Sequence, residues 1–209
     1  MKNKFGFILI KPQLGENIGA CARSLKNFGF SKLSIVSPKQ SWPNDKTKAT
    51  SVGAYDIIRK AKIYNTTHEA IGDFDIVISL SARKRDINKK HISINQFLKI
   101  IKSKRNTNFG LMFGPEASGL SNDDLSLSNF VLQIPTSKKF KSLNLSHSLT
   151  IISYEIFRLI NFNKFNKDKK QIKISSKRKV SALVLHLKHL LEKKGFFEPP
   201  EKNAQCYKI

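Results

Sequence analysis

The 209 residues carry 38 Lys and Arg against 15 Asp and Glu, a net charge of +23, with 40% hydrophobic residues and 15 Phe. This apolar content supports a real core and excludes wholesale disorder, and the length suits one domain with an appendage. No apolar run approaches the ~18 residues of a membrane span, and the opening stretch 5–10 is too short for a signal-peptide core, so the chain reads as soluble and cytoplasmic. Cys21 and Cys206 make neither a disulfide framework nor a zinc site of their own, and the scattered histidines bring no carboxylate or Cys partner, so no metal is expected. The charge points to a polyanion, either nucleic acid or an anionic membrane surface, although Lys far outnumbers Arg and part of the excess fits compositional bias. The stretch from 163 onward is the more densely basic part.

Short β-branched runs alternate with segments of helical period, the pattern of a mostly parallel sheet flanked by helices, an α/β fold. Strands are expected at 5–10, 32–36, 62–64, 76–80, 109–113 and 131–134, and helices at 18–28, 48–59, 67–71, 94–102, 123–126 and 145–160. The last helix is the clearest, because Leu145, Leu149, Ile152, Ile156 and Leu159 recur at spacings of three and four. These elements make a domain over 1–160, followed by a basic linker at 161–176 and a C-terminal helix and tail at 177–209. Within that tail, Val180, Leu183, Val184, Leu187, Leu190 and Leu191 form an apolar stripe over 179–194, ended by Gly195 and then Pro199 and Pro200. The stripe calls for a packing partner, either the main domain or another subunit.

Three polar clusters each follow an expected strand, where open α/β sheets bind ligands. The first, Pro12 to Arg23, runs into a helix. Taken alone, Asn17 reads there as an N-cap and Arg23 as a solvated charge. It has no G-x-G-x-x-G, and the chain has no phosphate-binding P-loop pattern. The second, Phe113 to Leu120, is a Gly/Pro turn that places Glu116 near a strand end with no evident capping task, while Ser121 and Asp124 look like a helix start. The third, Ile134 to Ser146, holds a basic loop with Lys138, Lys139 and Lys141, then Ser142, Asn144 and Ser146 before the strongest helix, of which one suffices as a cap.

In order and spacing, the stretch Asn17 to Arg23, the turn Phe113 to Leu120, and Ile134-Pro135 with Ser142-Leu143-Asn144 resemble the three signature motifs of the SpoU/TrmH-like branch of SPOUT-class RNA 2′-O-ribose methyltransferases. Within the class the chain looks like the TrmJ subfamily of tRNA methyltransferases. That likeness rests on Pro12 to Arg23, Trp42-Pro43-Asn44, Ser51-Val52-Gly53-Ala54, Ser81-Ala82-Arg83 and Gly195 to Lys202.

The resemblance implies a SPOUT-type sheet whose C-terminal part is tucked as a trefoil knot, an exception to the rule against threading. It also implies a homodimer and S-adenosyl-L-methionine as cofactor, held by Leu80, Ser81, Gly114, Glu116, Ile134, Ser142 and Leu143. The catalytic set carried over is Arg23 with Asn17, Glu116, Ser142 and Asn144. Because guanidinium groups stay protonated in proteins, Arg23 is expected to hold a substrate phosphate and stabilise developing charge on the ribose oxygen rather than act as a base. RNA contacts are expected from Arg23, Arg83, Lys84, Arg85, Lys138, Lys139 and Lys141, with solvated charge as the plain alternative. The implied reaction is 2′-O-methylation in the tRNA anticodon loop at nucleotide 32. A ribosomal RNA target and a catalytically silent RNA-binding dimer are the alternatives. Relatives of this kind often continue for several tens of residues beyond the Pro-Pro-Glu-Lys stretch, whereas this sequence stops at Ile209, so the resemblance leaves open how much of the tRNA surface is gripped.

Overall fold

The computed structural model describes residues 2–82, 88–104, 106–161 and 175–196, and the chain divides into two compact units, Met1–Lys164 and Phe165–Ile209. In the first unit the elements are β1 (Phe5–Ile10), α1 (Gly15–Phe28), β2 (Leu33–Val36), α2 (Asp45–Ser51), α3 (Tyr55–Lys60), β3 (Lys62–Tyr64) and α4 (Thr67–Ile71). They continue with β4 (Ile76–Leu80), β5 (Lys90–Ile92), α5 (Ile94–Ser103), β6 (Phe109–Phe113), α6 (Asn122–Ser126), β7 (Phe130–Leu132) and α7 (Leu145–Ile160). The second unit contributes α8 (Lys177–Lys193).

The seven strands form one sheet in the order β3-β2-β1-β6-β4-β7-β5, and every pairing is parallel. Parallel strands covered on both faces become continuously apolar, and β1 is buried along its whole length. Its side chains alternate between two cores. Phe7 and Leu9 join Leu25, Phe97, Leu149 and Ile152 on one face, and Ile8 and Ile10 join Met112, Leu120 and Leu125 on the other. Phenylalanines fill the first core: Phe5 stacks on Phe109 at 5.4 Å and Phe7 meets Phe30 at 5.2 Å between ring centres. Each such ring, fully buried, contributes on the order of 1.5–3 kcal/mol. On the second face, Gly6 and Gly110 lie side by side in register and leave the space that the Phe74 ring occupies.

The α/β class and the strongest helix match the sequence expectation, and four local features differ. The segment expected as one helix over 48–59 is two, α2 and α3, because Val52 at φ 21° and Gly53 at φ 74° leave the helical region between them. α1 starts at Gly15, three residues earlier than expected. The strand expected at 131–134 is Phe130–Leu132, which leaves Ile134 in the loop beyond it. β5 had no sequence signal, since Lys90-His91-Ile92 is short and only Ile92 is buried. The capping pair at α6 is as expected, with the Ser121 hydroxyl accepting from the Asp124 N–H at 3.1 Å.

α7 buries Leu145, Leu149, Ile152 and Ile156 at 0–5% exposure. α8 is helical over the expected stretch and ends before Gly195 at φ 67°, with Val180, Leu183, Val184, Leu187 and Leu190 exposed. Among the described residues no helix is long and apolar enough to cross a membrane.

Candidate active site

The site begins with the N-terminus of α1, which has no cap of its own: Leu14 occupies the capping position and offers no side-chain acceptor. A helix start leaves N–H groups without partners, and here distant side chains take them. The Glu116 carboxylate accepts from the Gln13 N–H at 2.9 Å and the Leu14 N–H at 3.4 Å. Gln40 Oε1 accepts from the Gly15 N–H at 3.3 Å and from Asn44 Nδ2 at 3.2 Å. Glu116 therefore holds the loop that leads into α1, across more than a hundred residues of sequence.

Asn17 is not the N-cap that its sequence context suggests. It lies inside the first turn of α1, 8% exposed, with its amide bridging two loops. Its Nδ2 donates to Glu116 Oε1 at 2.6 Å, and its Oδ1 accepts from Asn144 Nδ2 at 2.9 Å. Asn144 caps α7 through its Oδ1, which accepts from the Ser146 N–H at 2.8 Å and the Ser146 hydroxyl at 2.7 Å. One directed chain of hydrogen bonds thus joins all three clusters, and each amide spends both its donor and its acceptor in it. Cys21, fully buried behind this chain, is an inert thiol: burial first, and the Glu116 carboxylate second, push its pKa far above the usual thiol value.

Beside the chain a cleft of about 270 Å³ opens beyond the carboxyl ends of β4, β6 and β7. All seven residues expected around the cofactor, Leu80, Ser81, Gly114, Glu116, Ile134, Ser142 and Leu143, line it. Gly114 is required by close approach, because a Cβ there would run into the backbone of Gly119 and Leu120. Lys141 also lines the cleft, while Lys138 and Lys139 are exposed outside it. Arg83, Lys84 and Arg85 lie outside the described residues.

Arg23 is exposed, does not line the cleft, and has no ion pair or side-chain hydrogen bond among the described residues. Beside it, Ser24 Oγ lies 2.6 Å from Thr150 Oγ1. Because the Thr150 hydroxyl donates to the Ser146 carbonyl at 2.7 Å, Ser24 is the donor of that pair, and α1 is tied to α7 next to Arg23. Sequence reasoning gave no site role to Gln13, Ser24, Gln40, Asn44 or Thr150. Gln13 Oε1 accepts from the Ala117 N–H at 3.0 Å. The contacts of Gln13, of Ser24 with Thr150, and of Gln40 with Gly15 have no local signature, since each of those partners is distant along the chain.

A model of the SpoU rRNA methylase family matches residues 4–154, which include the whole hydrogen-bonded chain and the cleft. The chain belongs to this family. It is 41% identical over 162 residues to tRNA (cytidine-2′-O-)-methyltransferase TrmJ of Methanocaldococcus jannaschii, covering 76% of this chain and 69% of that protein. It is 32% identical over 157 residues to tRNA (cytidine/uridine-2′-O-)-methyltransferase TrmJ of Sodalis glossinidius, covering 75% of this chain and 61% of that protein. The crystal structure of TrmJ from Z. mobilis ZM4 superposes with a TM-score of 0.70 at 31% identity, covering 93% of this chain and 82% of that one. The family is the one that the three motifs indicate, and the TrmJ relatives are those that the further segments, such as Trp42-Pro43-Asn44 and Ser51 to Ala54, point to.

Proposed function

We propose that the chain is an S-adenosylmethionine-dependent tRNA 2′-O-ribose methyltransferase that works as a homodimer on the anticodon loop at nucleotide 32. The observation that carries this reading is the hydrogen-bonded chain Glu116–Asn17–Asn144 beside a cleft at the carboxyl ends of parallel strands. The names of the M. jannaschii and S. glossinidius relatives support tRNA as substrate. The cleft suits the cofactor: Leu80, Leu132, Ile134 and Leu143 offer apolar walls for a purine, and the Gly114 turn packed on Gly119 and Leu120 gives it a backbone floor. When bound, the cofactor supplies an activated methyl group for in-line attack by a ribose 2′-oxygen.

The chain's own residues have separable tasks. Leu80, Ser81, Gly114, Ile134, Ser142 and Leu143 hold the cofactor. Glu116, Asn17 and Asn144 lock the loops before α1 and α7 in one register, so that the groups facing the ribose are in place before substrate arrives. Arg23, whose guanidinium has no ion pair or side-chain hydrogen bond among the described residues, contacts a substrate phosphate and stabilises negative charge growing on the 2′-oxygen. Lys141 at the cleft and Lys138 and Lys139 beside it draw the RNA backbone in. Dimer formation is supported by the aromatic surface that α1 and α7 share, where Tyr154, 48% exposed, lies 5.9 Å from the Phe28 ring.

The test is transfer of labelled methyl from S-adenosylmethionine to total tRNA or ribosomal RNA, with the product mapped by ribose-methylation sequencing. Label at an anticodon-loop 2′-oxygen, reduced at least 100-fold in Arg23→Ala with cofactor binding intact, is the expected result. Ribosomal RNA is the second reading, favoured by the family's description as rRNA methylases. Label confined to ribosomal RNA would establish that reading instead, and absence of label on either RNA would remove both.

A further inference from the structure

Away from the cleft, Lys99 and Lys102 on α5 and Arg158 near the end of α7 flank a groove of about 330 Å³, completed by Asn95, Leu98 and Leu159. Three cations converge there, and among the described residues neither lysine is in an ion pair. The acid at hand is Glu155, which accepts from Arg158 Nε at 3.2 Å and Nη2 at 2.7 Å. That pair holds the guanidinium in one orientation, and among the described residues Nη1 has no hydrogen-bond partner. Lysines that meet no acid, beside an oriented guanidinium, suit an anion with several oxygens. Leu98 and Leu159 are partly buried against the core, so the groove lacks the broad apolar face of a membrane-seeking surface.

We propose that this α5–α7 groove is a second phosphate-contact site, which grips the RNA backbone at a distance from the reacting nucleotide. α7 sets the distance: its first turn, at Leu145 and Ser148, lines the cleft, and Arg158 sits about 20 Å farther along at a rise of ~1.5 Å per residue. A ligand that reaches from the cleft to the groove is several nucleotides long, which fits an RNA substrate. The proposal rests on the RNA-methyltransferase reading above and adds to it where the body of the substrate lies.

The experiment compares tRNA binding across salt concentrations for the wild type, Lys99→Glu/Lys102→Glu, and a control of equal charge, Lys32→Glu/Lys60→Glu, at exposed positions just before β2 and β3. The groove variant is expected to bind tRNA at least 10-fold more weakly than the control, with a salt slope lower by about one per lysine. Calorimetric S-adenosylmethionine binding and thermal unfolding should stay at wild-type values, and Lys99→Gln/Lys102→Gln should give the same trend more weakly. Equal losses in the groove and control variants would mean that only the overall field matters and would overturn the proposal, as would an unchanged groove variant. If the wild type and the control both fail to bind tRNA, the function reading fails first and the groove falls with it.

Discussion

α7 and α8 are near twins in sequence pattern and opposites in fate. They have 16 and 17 residues, each is capped by a side chain, Asn144 or Ser176, and each carries an apolar stripe at helical spacing. Yet Leu149, Ile152 and Ile156 of α7 are fully buried, while Val180, Leu183, Val184, Leu187 and Leu190 of α8 are 42–67% exposed. Periodicity specifies that a helix has an apolar face. It says nothing of what covers that face, which depends on complementary surfaces supplied elsewhere, as α1 and the sheet supply them to α7. α7 also differs at its start, where the cap belongs to a network that reaches Asn17 and Glu116.

The contrast breaks most sharply at Ile152. Ile152→Ala should destabilise the first unit by about 2–5 kcal/mol in denaturant unfolding, because the surrounding core collapses only in part around the lost methylenes. A loss below about 1 kcal/mol would mean that α7 is not anchored by its stripe. Asn144→Ala comes next: it removes a helix cap, for about 1 kcal/mol, and leaves Asn17 Oδ1 without its donor. Methyl transfer should then fall roughly 100-fold while cofactor affinity changes far less, since a misplaced loop costs orientation before binding. Activity unchanged in that variant would reduce Asn144 to a cap. The smallest effect is expected at Leu187, where the change to Ala should shift unfolding of the chain by no more than about 0.5 kcal/mol. A shift of several kcal/mol would show that α8 is held as firmly as α7.

The motif residues were legible because their chemistry is concentrated: Asn17 with Arg23, Glu116 in a Gly/Pro turn, and Ser142 to Asn144 before a helix stand out from their neighbours. Their jobs were less legible. Asn17 reads as a cap and Glu116 as free of a structural task, whereas Asn17 lies inside α1 and the Glu116 carboxylate, in the turn after β6, satisfies the loop ahead of that helix. Gln40 was invisible for the same reason, as its acceptor serves a helix 25 residues away.

By itself, the sequence determined what neighbouring residues decide together: the strands β1, β3, β4 and β6, the helix α7 and its stripe, the capping pair at α6 and the excess positive charge. These depend on side-chain period and short-range hydrogen bonding, which act over a few residues. Only the tertiary structure decided the strand order, the break between α2 and α3, the partners of Asn17, and which of two similar apolar stripes is buried. Those outcomes depend on groups far apart in the chain meeting in space, and no local pattern of residues records which groups will meet.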